Sequence, residues 1–245
     1  LNSTSDDHLL QQLPALWGQS IPFNMQHEDV GNIWVRQAIA EFIDREEVAR
    51  NYGEYGAPVA APSGLVGNIA GDNSQSDRWQ QWLTDDGASA LHRYQDVERG
   101  RELLRQEGYE KVDGEWLRPD GNQLEVPIKA PADYTDWHPI FQTAASNLRN
   151  EGIASEMVRI DSTAYWGDHY LSGNFVAAST GWTLQNQHPY YTNGMYYSVD
   201  ASFMNFEEAA EGVIQAPPYG EPNGDLQEWD IDQLMSDLRT ATAEN

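Results

Sequence analysis

The residues best suited to chemistry lie in one short stretch, 181–191, whose sequence is GWTLQNQHPYY. Its aromatic, amide and imidazole side chains bind ligands through stacking and hydrogen bonds. The stretch directly follows an apolar run, NFVAAST, that predicts a strand. Ligands of α/β folds bind in the crevice beyond the carboxyl ends of strands. We therefore predict a binding site that includes Trp182, Gln185, Asn186, His188 and Tyr190.

The sequence lacks the motifs of catalysis and of resident metals. His138, His169 and His188 do not stand at the spacings of zinc sites, and no carboxylate joins them in a calcium pattern. There is no Gly-x-Ser-x-Gly, no phosphate-binding glycine loop and no His-Glu-x-x-His. Carboxylate pairs can be picked at will from 39 acidic residues, so they do not indicate a glycosidase. We expect no enzyme, no cofactor and no metal.

The elements that position the site begin with residues 30–50, VGNIWVRQAIAEFIDREEVAR. Apolar residues recur there at three- and four-residue spacing, which predicts a helix with a buried face of Val35, Ala38, Ile39, Phe42 and Ile43. We expect the outward face to carry Arg36, Gln37, Ala40 and Glu41. Asp44 is predicted to end this helix and cap the next, with Glu47 completing a capping-box-like arrangement.

The wording VRQAIAEFIDREEVAR closely resembles the V-R-Q-A-x-x-x-x-I-D-R-E-x-[IV] signature of the extracellular solute-binding proteins of ABC importers, the peptide/nickel-binding family 5. Further stretches follow the family's order: IPFNM at 21–25, DVERGRELLRQEGY at 96–109, LRNEGIASEMV at 148–158 and NFVAASTGW at 174–182. Because family members are longer than this chain, the resemblance implies the C-terminal lobe of a two-lobed protein. It implies residues 1–20 as a crossing segment and 21–245 as the ligand-binding lobe.

The stretch at 181–191 resembles the family's G-W-x-x-D-x-x-[DE]-P, which lines the ligand cleft. Gly181, Trp182 and Pro189 match this pattern. Gln185 replaces an aspartate that pairs with the α-ammonium of the ligand in peptide-binding members, and His188 replaces an acidic residue. A hydrogen bond to a charged group is worth about 1.5–3 kcal/mol, against about 1 kcal/mol for a neutral one. We expect weaker recognition of free amino termini.

Dipeptide-binding relatives place a basic residue in the loop that corresponds to KAPADYTDW, directed to the ligand carboxylate. Lys129 is the only cation nearby in this sequence. If both charged anchors are altered, the better ligands are longer peptides held through their backbone, or an oligosaccharide stacked on Trp182, Tyr190 and Tyr134.

The remaining elements predict an α/β lobe, a mixed sheet covered by helices as in the type II periplasmic-binding-protein fold. Helices are expected at 76–84, 95–107, 137–151, 163–171 and near the C-terminus. Strands are expected at 21–25, 153–160 and 175–180. A hairpin is expected with strands 116–118 and 124–128 around the turn Pro119–Asn122. Residues 51–73 and 194–225 read as irregular.

Charge narrows the possible partners and environment. The 245 residues carry a formal charge of −25, and Lys111 and Lys129 are the only lysines. A surface this acidic repels phosphate backbones, so nucleic-acid binding is excluded. Acidic residues spread along the chain, with lysine nearly absent, indicate a halophilic and haloarchaeal protein whose self-repulsion is screened by salt. Zero cysteines exclude disulfides and thiol chemistry.

From the resemblance we expect a monomeric binding protein on the outer face of the cytoplasmic membrane, secreted or held by a lipid anchor. It would capture an oligopeptide or oligosaccharide by closure of two lobes and deliver it to a membrane permease. Nine tryptophans and abundant carboxylates leave a rival, a secreted carbohydrate-active enzyme or a carbohydrate-binding receptor.

Overall fold

The computed structural model describes residues 4–5, 8–9, 17–53, 85, 95–183, 190, 213–217 and 224–241. The helices are α1 Ile33–Phe42, α2 Arg45–Tyr52, α3 Val97–Gln106, α4 His138–Asn150, α5 Ser162–Ala164, which continues as the π-helix Tyr165–Tyr170, and α6 Ile231–Thr240. The strands are β1 Thr4–Ser5, β2 His8–Leu9, β3 Trp17–Ser20, β4 Glu110–Val112, β5 Glu115–Leu117, β6 Ile128–Pro131, β7 Met157–Ile160, β8 Ala177–Ala178, β9 Thr180–Thr183, β10 Val213–Ala216 and β11 Gln227–Asp230.

A parallel sheet with strand order β7-β6-β8 lies at the centre of the described chain. The segment before α1 extends this sheet beyond β8, because Phe23 bridges Ala177 in antiparallel fashion and Asn24 N donates to Val176 O at 3.0 Å. Antiparallel two-stranded ribbons form from β1 and β2, β3 and β9, β4 and β5, and β10 and β11. This mixed α/β arrangement confirms the predicted fold class.

The two faces of the sheet carry different layers. Ile128 and Ala177 belong to one face and join the main core, which contains apolar side chains of α1, α3 and α4. Successive strand residues point to opposite faces, so Lys129 and Ala178 belong to the other. There, Ala178 packs in a second buried cluster with Tyr165 of the π-helix and with Phe175.

The helical layer follows the predicted pattern closely. Val35, Ala38, Ile39 and Phe42 are buried, while Ile43 is half-buried. Asp96 caps α3 by accepting from Arg99 N at 3.0 Å, and Leu103 and Leu104 of α3 are buried. The stripe of α4 is buried at Phe141, Ala144 and Leu148. These helices form because their apolar residues share one face.

Glu41 contradicts the prediction that it faces solvent, because its side chain is fully buried. One carboxylate oxygen accepts from the Gln95 and Asp96 backbone N–H groups, each at 2.9 Å. The other accepts from the Arg99 guanidinium, which also donates to Gln37 Oε1 at 2.8 Å. The period of apolar residues in α1 indicated that Glu41 is exposed. However, α3 packs against the side of α1 that carries Glu41, and so brings the two backbone N–H groups and the Arg99 guanidinium to its carboxylate. The buried carboxylate joins the two helices.

The predicted cap at Asp44 is confirmed, but the hydrogen bond expected from Asp44 N–H to the Glu47 carboxylate goes to a different acceptor. The Asp44 carboxylate accepts from Glu47 N at 2.8 Å. A capping box would return the Glu47 carboxylate to Asp44 N–H, but Asp44 N donates instead to Asn147 Oδ1 of α4 at 3.0 Å. Asn147 Nδ2 then donates to Glu47 Oε2 at 2.7 Å. The cap of α2 therefore also fastens α2 to α4.

The predicted hairpin is only partly correct. The turn at 119–122 exists, since Arg118 N donates to Asn122 O at 2.7 Å and Leu124 N to Trp116 O at 2.8 Å. However, the regular hairpin is β4–β5, whose turn residues Asp113 and Gly114 have φ of 50° and 93°. An Asp-Gly pair with positive φ is a favoured two-residue hairpin turn. The predicted second strand contributes its end, Ile128, to the parallel sheet instead.

Other predicted elements are shorter or altered. The strand expected at 153–160 is regular only in β7, and the helix expected at 163–171 is mostly a π-helix. The strand expected at 175–180 divides into β8 and β9 at Ser179. β10 and β11 occur within or next to the region expected to be irregular. The helix predicted at 76–84 lies outside the described residues, as do residues 54–73 of the loop predicted at 51–73. The first two residues of that predicted loop belong instead to α2.

Candidate functional site

The carboxyl ends of β6, β7 and β8 lie at one edge of the sheet because the three strands are parallel. The chain leaves this edge at Ala132, Asp161 and Ser179. In open parallel sheets, ligands bind in the crevice beyond this edge. We call the two half-buried rings that the edge presents, Tyr134 and Trp166, the aromatic edge.

The two rings of the aromatic edge are held in fixed orientations. The Trp166 indole N–H donates to the Tyr134 hydroxyl at 3.3 Å. Behind the pair lies buried Trp137, whose ring packs edge-on against Tyr134 at 4.9 Å and against Trp166 at 6.5 Å between centroids. Edge-to-face packing of this kind fixes ring orientation. Two fixed, partly exposed rings can stack on an apolar side chain or on a sugar.

Two carboxylates accompany the aromatic edge, and they differ in how far they are engaged. Asp161 accepts from Thr163 N at 3.0 Å and from Ala164 N at 3.3 Å, and so caps α5. Asp133 is exposed and accepts from the Ser162 hydroxyl. Because the Asp161 carboxylate caps the N-terminus of a helix, its role is structural. Asp133 retains an exposed carboxylate that can accept from a ligand.

Strand β8 gives way to β9 at Ser179 and Thr180. We call these two residues the β8–β9 corner. The buried Tyr165 hydroxyl donates to Ser179 O and accepts from Ser179 N, the latter at 3.0 Å. Burial raises the pKa of Tyr165 to about 12, so its hydroxyl stays protonated at all ordinary pH values. Beyond the corner, β9 pairs with β3.

The predicted stretch at 181–191 is described only in part. The backbone of Trp182 lies in β9, opposite Gly18 of β3. Gln185, Asn186 and His188 lie outside the described residues. Tyr190 is described and half-buried. The roles of these five residues in ligand binding stay predictions. What the structure describes is the beginning of the stretch, which lies in β9.

Lys129 lies inside β6, two residues before the strand ends, and not in the loop that follows. Its ammonium donates to Asn174 O at 2.5 Å and lies 2.9 Å from His169 Nδ1. Burial lowers the pKa of Lys129. This places the ammonium against the C-terminal turn of the π-helix, so it is not brought together with Tyr134. Its predicted role as a carboxylate anchor stays a prediction.

Sequence reasoning missed Trp166, Tyr165 and Asp133 as site residues. Trp166 and Tyr165 fell within a predicted helix, where a regular 3.6-residue period assigns them to no special surface. The available signal was the position of Asp133 and Tyr134 directly after an apolar run, together with a second run ending at Ile160. Two adjacent parallel strands would bring these ends together.

The histidines of the described chain serve the fold. His138 Nε2 lies 3.1 Å from Pro131 O, and His169 contacts Lys129. In the ranges that the structure describes, no three His, Asp or Glu side chains are grouped as metal ligands. None of the helices in these ranges has both the length and the apolar character needed to span a bilayer.

The fold is that of known solute-binding proteins. The chain is similar to the periplasmic oligopeptide-binding protein of an oligopeptide ABC transporter from Thermotoga maritima, with 21% identity and a TM-score of 0.71 over 95% of this chain and 40% of that protein. A structure of the same protein with bound mannohexaose matches with 21% identity and a TM-score of 0.65, over 92% of this chain and 42% of the other.

Another similar structure is the oligopeptide-binding protein AppA from Bacillus subtilis in complex with a nonapeptide. It shares 19% identity and a TM-score of 0.54 over 69% of this chain and 32% of that protein. The chain thus spans less than half the length of these relatives. At such identities the likeness establishes the fold. No curated protein shows significant sequence similarity to the chain.

Sequence similarity to a family model identifies the family. The matching family model is that of the bacterial extracellular solute-binding proteins, family 5, middle region, and it covers residues 2–203. This range contains the signature helix α1, the parallel sheet and the aromatic edge. The chain therefore belongs to the family 5 extracellular solute-binding proteins.

Proposed function

We propose that this chain is the C-terminal ligand-binding lobe of the substrate-binding component of an ABC importer, and that its ligand is an oligopeptide. The observation that carries the proposal is the aromatic edge, Tyr134 and Trp166, at the carboxyl end of the parallel sheet of a family 5 protein. The family is one of solute-binding proteins and not of enzymes, in agreement with the prediction of no catalysis.

In this proposal residues 1–20 cross between lobes and residues 21–245 form the binding lobe. Pairing of Trp17–Ser20 with β9 supports the boundary, because it fastens the crossing segment next to the predicted ligand-lining stretch. Because the chain spans less than half of its relatives, the partner lobe supplies the remaining ligand contacts. A ligand that touches both lobes stabilises the closed form, which docks on the permease.

An extended peptide suits this lobe better than a dipeptide. The aspartate that pairs with an α-ammonium in peptide-binding members is replaced by Gln185, and Lys129 is turned to Asn174 O and His169. Both charged anchors of a short zwitterion are thereby weakened. The exposed Asp133 carboxylate and the aromatic edge offer contacts to a longer chain, namely a hydrogen bond to a peptide N–H and stacking on side chains.

An oligosaccharide is the second candidate ligand, and a specific feature favours it. The aromatic edge presents two rings braced from behind by Trp137, as stacking on sugar rings requires. The Thermotoga maritima relative has been crystallised with mannohexaose. The two candidates use the same surface and differ in the polar groups that a ligand must satisfy.

We further propose that the mature protein works as a monomer on the extracellular face of the cytoplasmic membrane, secreted or lipid-anchored, in a halophilic and haloarchaeal setting. The charge of −25 supports the last point. The two lysines are also engaged: Lys111 lies 3.5 Å from the Glu151 carboxylate, and Lys129 bonds within the fold.

Thermal unfolding of the full-length protein in molar KCl tests the proposal, with dialanine, pentaalanine and mannohexaose as probes. A ligand at 100 times its dissociation constant adds about 2.7 kcal/mol to the stability of the folded state. We expect pentaalanine to raise Tm and dialanine to have little effect. A rise with mannohexaose alone would replace the peptide by the sugar, and no rise with any probe would contradict both ligand classes.

The variant Trp166→Ala tests whether the aromatic edge is the contact surface. Aromatic contacts are worth about 0.5–1.5 kcal/mol, so we expect affinity for the binding probe to fall by about two- to tenfold. Trp34→Ala is the matched control, since Trp34 is also a partly buried tryptophan packed on the core but lies on α1. Equal losses of affinity in both variants would contradict the assignment.

A further inference from the structure

The β8–β9 corner is held by Tyr165 of the π-helix. The Tyr165 hydroxyl bonds both main-chain groups of Ser179, donating to the carbonyl oxygen and accepting from the N–H at 3.0 Å. The Tyr170 ring packs beside the Tyr165 ring and stacks on Phe175. One phenol, supported by a neighbouring ring, thus meets the chain at the point where it leaves the parallel sheet.

The π-helix explains how both tyrosines reach the same place. In an α-helix, residues five apart are turned by about 140° from each other and face different surroundings. A π-helix bonds each residue to the one five positions on, which sets Tyr165 and Tyr170 one above the other. Their ring centroids are 5.9 Å apart, with an angle of 34° between the planes. Single turns of π-helix are frequent at functional sites.

The restraint acts mainly on the direction of the backbone after Ser179. Ser179 N also donates to Lys129 O at 2.9 Å, so the sheet already holds this N–H. The Ser179 carbonyl is held by Tyr165. Fixing this carbonyl fixes the peptide plane between Ser179 and Thr180. That plane sets the course of β9 and hence the starting position of Gly181 and Trp182.

We propose that Tyr165 is a positioning residue for β9, where the predicted ligand-lining stretch begins, acting through the β8–β9 corner and touching no ligand itself. The proposal rests on the proposed function for the role of that stretch. Phenylalanine would fill the same space in the buried cluster with Phe175 and Ala178. The Tyr165 hydroxyl is therefore the group whose removal separates positioning from packing.

Hydrogen exchange and binding, measured on the full-length protein, test the proposal with Tyr165→Phe and Tyr170→Phe. Tyr109→Phe is the matched control, because Tyr109 is also buried and its hydroxyl donates to the Asp29 carboxylate at 2.5 Å, on a different part of the core. Tyr165→Phe removes the two bonds to the main chain of Ser179, whereas Tyr109→Phe removes one bond to a charged carboxylate. Tyr170→Phe keeps the ring that packs beside Tyr165. Tyr165→Phe and Tyr109→Phe are expected to lose similar amounts of stability by thermal unfolding.

Amides of residues 180–183 should exchange roughly fivefold faster in Tyr165→Phe than in the wild type, as expected when one hydrogen bond that orders this segment is lost. The control should leave their exchange unchanged. Equal exchange in Tyr165→Phe and in the control would overturn the positioning role. If Tyr165→Phe does not fold, Tyr170→Ala decides the same question, because it removes the ring that packs beside Tyr165 at 5.9 Å between centroids.

Affinity for pentaalanine or mannohexaose, whichever binds the wild type, should fall several-fold in Tyr165→Phe and stay unchanged in Tyr109→Phe. Unchanged affinity in both would overturn the link to ligand binding. If the wild type binds neither probe, the proposed ligand classes fail, while the exchange measurement still decides whether Tyr165 holds the corner.

Discussion

The two sides of the parallel sheet use buried polar groups for different purposes. On the helical side, Glu41 meets Arg99 and two backbone N–H groups, and Asn147 joins α2 to α4. On the site side, the neutral Tyr165 hydroxyl meets the β8–β9 corner. Polar groups on the helical side join whole helices, whereas those on the site side direct one stretch of backbone. Removing a polar group on the helical side should therefore lower the free energy of unfolding. Removing one on the site side should change ligand affinity.

Glu41→Ala should have the largest effect and would test the helical side at its centre. The change removes the buried carboxylate that faces Arg99 and accepts from Gln95 N and Asp96 N. Breaking a buried ion pair costs about 3–5 kcal/mol of unfolding free energy, measurable by urea denaturation in molar KCl. Glu46→Ala is the control, because the Glu46 side chain is 76% exposed and its ion pair is worth about 0–1 kcal/mol. Similar losses of unfolding free energy in both variants would contradict a special role of the buried Glu41 carboxylate on the helical side.

Gly152→Ala should rank second. Gly152 has a φ of 93°, and a Cβ there would stand 2.0 Å from Gly114 O in the β4–β5 turn. Backbone strain and overpacking together predict a loss of about 2–4 kcal/mol, measured by the same denaturation. Gly121→Ala separates the two causes, since Gly121 has a φ of 85° with nothing within 4 Å of the added Cβ. Equal losses would mean that the turn moves aside without cost.

Asn147→Ala should lower the free energy of unfolding by about 1–2 kcal/mol. It removes the acceptor of Asp44 N and the donor to Glu47 Oε2, and leaves the start of α2 without this support. Asn150→Ala, an exposed change on the same helix, is the control and should be nearly neutral. Ligand affinity should be the same in both variants. A lower affinity in Asn147→Ala at constant stability would break the division between the two sides.

Alkaline titration tests the site side. Because burial raises the pKa of Tyr165 from 10.0 to about 12, its neutral phenol contributes stability that is complete below pH 10. This contribution is lost as the pH rises from 10 towards 12, since the unfolded chain releases the proton first. Tyr165→Phe should therefore flatten the fall in stability over this window. An unchanged profile would show that the phenol is not buried as described.

The sequence predicted the helical side well because its signals are local. The buried face of α1, the Asp44 and Asp96 caps and the stop of α4 at Gly152 depend on residues within one or two turns of each other. The prediction that Glu41 faces solvent was wrong, because its hydrogen-bond partners lie more than fifty residues away, at the start of α3. Helical period reports which side of one helix is apolar, and cannot report what packs across its flank.

The site side was predicted less well for the same physical reason. The π-helix and the division of the expected strand at Ser179 depend on contacts between a helix and a strand end, which leave no period in either segment. Tyr134 was predicted as a candidate, but its partner Trp166 was not. Asp113-Gly114, by contrast, is a local turn signal that the sequence does contain.

Pairing of β3 with β9 has a consequence for how the protein folds. Trp17–Ser20 and Thr180–Thr183 are separated by most of the chain, so the ribbon closes a very long loop. Long-range pairings of this kind are slow, because the entropy of closing the loop is lost before the contacts form. The helical layer can assemble from nearer segments. The stretch that carries Trp182 should therefore acquire its final course late, after the rest of the lobe has formed a surface on which β3 and β9 can meet.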